Sequence, residues 1–183
     1  MDYGYEGQVL LPITIDNNAA LKPGETTNIS ADLRAIVCRE VCIPAKAHLT
    51  LSMPVRAGNP EPEPATKALF ADAMKALPKP LPSGWKVSAK ESKDTLELRI
   101  RTAPHIATVG AWFAPLNPEQ IDNAVPQQLK KEGGEMLLVL KKSDHLLQPL
   151  ARLQGALILP AGAYTVDVLV SHPIIEPPIN RRK

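Results

Sequence analysis

The sequence has few aromatic residues, little net charge and no long apolar run, and each absence excludes a class of protein. Aromatic side chains make up only 4% of the 183 residues. No apolar stretch approaches the roughly 18 residues that a membrane-spanning helix needs, so no transmembrane segment is predicted. Lys and Arg number 21 and Asp and Glu number 19, which leaves a net charge of +2. Such a charge creates no strong field for nucleic acid or an anionic membrane, so neither is an expected partner.

Proline, by contrast, is abundant and argues against a helical bundle. The chain contains 19 prolines, roughly twice the usual share of about 5%. Each proline removes a backbone donor and breaks a helix interior. The Val, Ile and Leu content is nevertheless high enough to support packed strands, which excludes disorder. The composition therefore predicts an all-β fold.

The first residues look like the middle of a domain rather than its start. Residues 1–6 carry neither the basic region nor the apolar region of a signal peptide, so none is predicted. A strand-like run at 8–15 follows almost at once. We therefore expect that the chain opens partway through a domain.

Residues 1–58 are predicted to be a partial β-sandwich. Strands are expected at 8–15, 27–37 and 48–55. In the third, Leu49, Leu51 and Met53 alternate with polar neighbours, which is typical of a half-buried strand.

Residues 59–83 are predicted to be a proline-rich linker that contains one helix. The run NPEPEP at 59–64 is typical of a stiff, solvated polyproline segment. A helix is expected at 66–77, ended by the proline pair that follows. Its apolar face is expected to pack onto one of the two β units; this face consists of Leu69, Phe70, Ala73, Met74 and Leu77.

Residues 84–172 are predicted to be a second β-sandwich, which would position the first unit rather than react. Runs at 85–89 and 95–101 flank a polar turn, which favours a hairpin with Leu96, Leu98 and Ile100 facing inward. Further strands are expected at 108–113, 135–140, 153–159 and 164–170. Short strands separated by Gly and Pro turns are typical of immunoglobulin-like sandwiches. Residues 173–183 are predicted to be a tail.

The two cysteines form the one group with obvious chemistry. Cys38 and Cys42 lie four positions apart, which in an extended strand means about 13 Å. A disulfide needs Cα atoms within about 7 Å. If the pair bonds, the three residues between must therefore form a turn with the sulfurs meeting across its neck. Such a loop contributes only about 2 kcal/mol of chain entropy, so the spacing favours a redox pair over a structural staple.

Alternatives to a redox pair stay open at the level of spacing. The cysteines could form an inert disulfide or remain buried thiols. Zinc is a weaker alternative, because Cys38, Cys42 and His48 still leave a fourth ligand to be found. No cofactor and no metal are predicted.

Three neighbours of the cysteines are candidate supporting residues. Arg39 would lower the pKa of a nearby thiol by stabilising its thiolate, and Glu40 would raise it. Pro44 restricts the residue before it to extended conformations, so the chain should leave the turn directly as a strand.

Three segments of the sequence resemble the N-terminal periplasmic region of DsbD-type protein-disulfide reductases, including the ScsB-like proteins. The segments are YGYEGQVLL at 3–11, LKPGE at 21–25 and VCREVCIPAKA at 37–47. The resemblance covers about residues 3–85. It implies an immunoglobulin-like sandwich that carries a redox cysteine pair. The first part of that sandwich is expected to precede Met1.

The resemblance also implies a function. In that family the pair takes electrons from a membrane-embedded relay domain and passes them to oxidised periplasmic partners, which are thioredoxin-like proteins. Carried over by motif, the catalytic pair is Cys38 and Cys42, and Pro44 matches the proline of the motif. The expected location is the periplasm, in a parent protein anchored in the bacterial inner membrane.

Two functional hypotheses follow from these observations. The first is a thiol–disulfide exchange module, that is, a thiol–disulfide oxidoreductase acting through Cys38 and Cys42. The alternative is a non-catalytic β-sandwich adaptor whose cysteines only lock a turn. Open strand edges of an incomplete sandwich would also allow a homodimer.

Overall fold

Nearly all regular structure in the chain is β-sheet, which confirms the all-β fold class. The structure, a computed structural model, describes residues 4–16, 21–59 and 61–172. The predicted tail at 173–183 lies outside the described residues. By their contacts the residues divide into two units: Leu11–Asp72, and Ala73–Lys183 together with Met1–Leu10. We call the first the hairpin unit and the second the large unit.

The hairpin unit contains one long β-hairpin. Strands β1 (Thr26–Cys38) and β2 (Cys42–Pro54) pair antiparallel over their whole length. Both strands were predicted, but they are longer than expected, and most of their apolar residues are exposed: Leu49 and Leu51 are 56% and 58% accessible. The half-buried third strand predicted from their alternation is therefore wrong in its burial. Alternation predicts that one face is apolar, and it does not supply the element that covers it.

The strand predicted at 8–15 is wrong. The described residues there form no strand, and the apolar side chains of Val9, Leu11, Ile13 and Ile15 are all exposed. The run alternates correctly, but a strand exists only where another strand accepts and donates its backbone hydrogen bonds.

Helix α1 (Pro64–Ala76) starts two residues earlier than predicted. Proline is well suited to a first helical position because its missing N–H would have no partner there. None of the helix residues, all of which the structure describes, is buried. Leu69, Phe70, Met74 and Leu77 are between 41% and 56% accessible, so the expected packing of this face is not observed. Among the described residues, no helix has the length and apolar character of a membrane span.

The large unit is one curled sheet of eight strands. In chain order these are β3 (Lys79–Pro80), β4 (Lys86–Glu91), β5 (Thr95–Arg101), β6 (Trp112–Pro115), β7 (Gln128–Glu132), β8 (Glu135–Lys141), β9 (Arg152–Leu159) and β10 (Gly162–Ser171). The spatial order is β6-β9-β10-β4-β5-β8-β7, with β3 beside β10. Strands β10 and β4 pair in parallel over only two residues and join the two halves of the sheet.

The core of the large unit fills the inside of that curl. The predicted hairpin of β4 and β5 is confirmed, and Leu96, Leu98 and Ile100 are fully buried. Across from them lie apolar residues of the other sheet half, namely Phe113, Leu153, Leu157 and Val166. Period-two alternation thus places inward residues correctly wherever two sheet halves face each other.

Candidate functional site

The turn between β1 and β2 holds both cysteines of the chain. Strand β1 ends at Cys38 and β2 begins at Cys42, so only three residues make the turn. The backbone N–H of Arg39 donates to the carbonyl of Val41 at 3.3 Å. Pro44 holds the preceding residue extended, and β2 does start before it, as predicted. The chain thus reverses tightly enough to bring the two cysteines opposite each other.

The two sulfurs are bonded across the neck of this turn. Cys38 and Cys42 face each other in the strand register, with an S–S length of 2.04 Å and Cα atoms 4.1 Å apart. Because Arg39 and Val41 form the hydrogen-bonded pair beside them, the cysteines occupy a non-hydrogen-bonded pair, the closer of the two kinds in an antiparallel ladder. The turn geometry that the spacing required is therefore the one observed.

The disulfide is at an exposed end of the hairpin. Cys38 and Cys42 are both exposed, as are all residues of the turn. Thiol–disulfide exchange requires a thiolate to approach along a sulfur, so access of this kind is its first condition. The site meets that condition.

The register divides the hairpin into two chemically different faces. Positions that alternate with the cysteines carry the apolar side chains, among them Ile29, Leu33 and Leu51, and form what we call the apolar face. The face that bears the disulfide carries every Asp, Arg, Lys and His side chain of β1 and β2: Asp32, Arg34, Lys46 and His48. We call this the disulfide face. A partner that reaches the sulfurs from this side meets the Ile36–Pro44 pair beside the disulfide and the polar side chains beyond that pair.

The three supporting residues predicted from sequence are all near the disulfide. Arg39 and Glu40 form the turn itself and are exposed. Pro44 lies on the disulfide face, directly opposite Ile36. Their effects on the cysteines stay predictions.

His48, the third ligand of the zinc alternative, is far from the cysteines. It lies six positions along β2 from Cys42, which is about 20 Å in an extended strand. Its Nδ1 is 2.7 Å from an oxygen of Asp32, the residue directly opposite. The described residues contain no cluster of three or more His, Cys, Asp or Glu side chains suited to a metal.

Two residues of the disulfide face were missed by the sequence analysis. Arg34 and Lys46 lie directly opposite each other, in the second pair beyond the disulfide on this face. A signal for them exists in the sequence. Each is six positions from Glu40, the centre of the turn, and residues equidistant from a hairpin turn face each other.

Several charged residues of the large unit form ion pairs. On its outer face, the Arg101 Nε donates to a Glu135 oxygen at 2.7 Å, and Arg99 lies 3.3 Å from Glu132. Arg99, Arg101 and Glu135 line a surface pocket that also contains Trp85. The large unit contains no cysteine.

Inside the large unit, one buried carboxylate joins three segments. Glu91, only 7% accessible at its side chain, accepts the backbone N–H of Leu150 at 2.9 Å and is bonded to Lys142 Nζ. His172 Nδ1 lies 3.1 Å from it. Burial alone raises the pKa of Glu91, but these donors and positive charges outweigh burial and hold the pKa below its ordinary value. The group links β4 to the ends of β8 and β10.

Comparison with known proteins finds a solved structure whose fold is similar to that of this chain. No protein-family model and no curated protein matches the chain. A solved structure does: the N-terminal periplasmic domain of ScsB from Proteus mirabilis, a DsbD-like protein, with a TM-score of 0.59 and 16% identity. The match covers 80% of this chain and 58% of that one, so the chain spans little more than half the length of its structural neighbour. The resemblance in the cysteine motif and the likeness in three dimensions agree: the chain has the fold of a DsbD-like periplasmic domain.

Proposed function

We propose that this chain is a thiol–disulfide exchange module of a periplasmic, DsbD-like protein. It would relay electrons through Cys38 and Cys42 from a membrane-embedded reductase domain of its parent protein to oxidised, thioredoxin-like partners. One observation carries the proposal: the two cysteines of the chain face each other at the exposed end of a hairpin, in a bond that closes only the turn.

The bond is local, which suits a pair that cycles. Its loop contains five residues, and closing so short a loop removes only about 2 kcal/mol of unfolded-chain entropy. The hydrogen bond from Arg39 to Val41 closes the same turn without the sulfurs. Opening the disulfide therefore costs the hairpin little.

The reaction is a two-electron exchange in two steps. In the reduced module, the thiolate of one cysteine attacks a sulfur of the partner disulfide, which forms a mixed disulfide and releases the first partner thiolate. The second cysteine then attacks its neighbour's sulfur, re-forms the Cys38–Cys42 bond and releases the second partner thiolate. The partner gains two electrons, and a dithiol of the membrane domain restores the module.

The supporting residues act on the thiolate stage. The positive charge of Arg39, adjacent to Cys38, favours a thiolate, whereas the carboxylate of Glu40 disfavours one. The periplasmic location is supported by the origin of the structural neighbour, which is a periplasmic domain.

The test is the reduction potential of the pair. The full chain is equilibrated with dithiothreitol or glutathione buffers, alkylated and analysed by mass spectrometry. We expect a potential above about −300 mV, the level below which structural disulfides lie. A lower value would indicate a structural bond and support the adaptor alternative.

A second measurement separates the two hypotheses directly. A Cys38→Ser, Cys42→Ser variant of the chain should lose the ability to reduce a thioredoxin-like protein. If the adaptor alternative holds, the variant and the native chain behave alike toward that partner.

A further inference from the structure

The disulfide face contains a pair of like charges that the hairpin brings together. Arg34 on β1 and Lys46 on β2 are directly opposite each other. They occupy a non-hydrogen-bonded pair, as the cysteines do, because positions of the same parity share this geometry, and side chains in such pairs are the closer ones. Like charges directly opposite in a sheet are destabilising.

No carboxylate of the described residues forms an ion pair with these two cations. Asp32, the nearest acidic residue on the same face, is bonded instead to His48 at 2.7 Å. The large unit shows the contrasting arrangement, in which Arg99 and Arg101 are both paired with Glu135. Arg34 and Lys46 are therefore like charges that form no ion pair with Asp32, the carboxylate beside them, which is bonded to His48. Such local conflicts are expected at functional sites.

The distance to the sulfurs indicates what the pair does. Arg34 is four positions from Cys38, which is about 13 Å along the strand. That exceeds the Debye length of about 8 Å at physiological ionic strength. Two exposed cations at this distance have little effect on the thiols themselves. They are, however, well within an interface of about 800 Å² per partner, which is close to 28 Å across.

Between the cations and the sulfurs lies one apolar cross-strand pair, Ile36 and Pro44, which we call the apolar step. Ile36 is 72% accessible and faces Pro44, so this pair exposes hydrophobic surface on a face that is otherwise polar. Moving outward from the disulfide, a partner therefore meets an apolar pair and then a doubly positive pair.

We propose that Arg34 and Lys46 are the recognition element for the redox partner, and that this partner carries acidic side chains about 13 Å from its reacting cysteine. The apolar step of Ile36 and Pro44 lies against the surface between its cysteine and those acids. The proposal rests on the proposed function of Cys38 and Cys42, whose partner it describes.

The probes are two synthetic peptides, Cys-Ala-Ala-Ala-Glu-Glu and Cys-Ala-Ala-Ala-Lys-Lys. In each, the first charge is four positions from the thiol, as Arg34 is from Cys38. The peptide thiolate attacks one sulfur of the disulfide, a mixed disulfide forms, and the other cysteine leaves as a thiolate. A second peptide thiolate then yields the peptide disulfide and the reduced module. Rates are measured on the full chain by acid quench, alkylation and mass spectrometry.

We expect the acidic peptide to react about three to ten times faster than the basic one at low salt, since steering by a few charges has this order. The ratio should approach one at about 0.5 M salt, where charges are screened within a few ångströms. An Arg34→Glu, Lys46→Glu variant should reverse the preference. The matched control is Lys90→Glu, Lys93→Glu, which makes the same change in net charge at two exposed lysines of the large unit and should keep the native ratio.

Several outcomes would overturn the proposal. These are a ratio near one in the native chain at low salt, or the same ratio in both variants, which would mean that only net charge matters. An Arg34→Gln, Lys46→Gln variant guards against misfolding of the charge reversal and should bring the ratio to about one. Uncharged dithiothreitol separates this inference from the proposed function. If it fails to reduce the disulfide, the exchange function is wrong; if it succeeds and the ratio is still one, only the recognition element is wrong.

Discussion

Reduction of the Cys38–Cys42 bond should change the stability of the hairpin very little, and the structure gives the size of the effect. The bond closes a loop of five residues that the strand register and the hydrogen bond from Arg39 to Val41 already close. The loop-entropy relation gives about 2 kcal/mol for such a loop. This is an upper value, because structure that remains in the unfolded chain reduces the entropy that the bond removes. The paired strands continue for another twelve residues on either side of the cysteines and do not depend on the sulfurs.

Linkage converts this free energy into a difference in reduction potential. For a two-electron couple, about 1.4 kcal/mol corresponds to about 30 mV. Folding should therefore lower the potential of the pair by at most about 40 mV relative to the same sequence without the fold. By the same relation, a disulfide that closed a loop of about 100 residues would show a difference of about 100 mV.

The reference is a peptide of residues 37–43, which holds the same five-residue loop without the hairpin. Protein and peptide are equilibrated in parallel with dithiothreitol buffers, and the reduced fractions are measured after alkylation. Amide hydrogen exchange of residues 26–54 provides the control, since the reduced chain should keep its protection everywhere but at the turn. A gap of more than about 100 mV, equivalent to about 5 kcal/mol, would refute the reasoning and indicate that the fold depends on the bond.

Two further predictions concern the large unit, whose unfolding can be followed by the fluorescence of its two tryptophans. Glu91→Gln should cost about 1–3 kcal/mol at pH 7, because it removes the charged hydrogen bond with Lys142. Folding lowers the pKa of Glu91 from its ordinary value of 4.5. This stabilisation is therefore present above pH 4.5 and is lost as the pH falls through the lower pKa of the folded state. Urea titrations should show that the free energies of unfolding of the two proteins converge in acid; a difference that stays constant with pH would contradict the assignment. Gly155→Ala should cost about 1–3 kcal/mol or slightly more, since the added Cβ would lie 2.5 Å from the Phe113 ring. Gly4→Ala, where a Cβ meets nothing, should leave the urea midpoint unchanged, and equal effects of the two substitutions would contradict the close approach.

Sequence patterns predicted those strands that have both an alternating pattern and a neighbour to pair with. The run at 95–101 has its inward leucines and lies between two strands, so pattern and structure agree. The run at 8–15 has the same alternation and no neighbouring strand among the described residues. Strand β7 was missed for the opposite reason: Gln128–Glu132 contains a single apolar residue, Leu129. It is an edge strand, and its backbone pairing with β8 rather than its side chains holds it in place.

The candidate site was predictable in part. The turn followed from the reach of a disulfide, because an extended strand holds Cys38 and Cys42 too far apart to bond. The burial of β1 and β2 could not be predicted in this way, since alternation indicates which face is apolar and not what contacts it. The pairing of Arg34 with Lys46 could be predicted once the centre of the turn was known. It was missed because charges were counted along the chain instead of across the hairpin.

A single geometric fact, the position of Glu40 at the centre of the turn, determines the chemistry of both faces. Residues equidistant from it are opposite each other, so the cysteines meet and Arg34 meets Lys46. Residues an even number of positions apart share a face, so the cations join the sulfurs while the leucines lie on the other side. Adding one residue to the turn would shift the register and send every side chain of one strand to the opposite face. The disulfide and the charges beside it are therefore specified together, and the recognition element proposed here requires no feature of the fold beyond the turn that creates the disulfide.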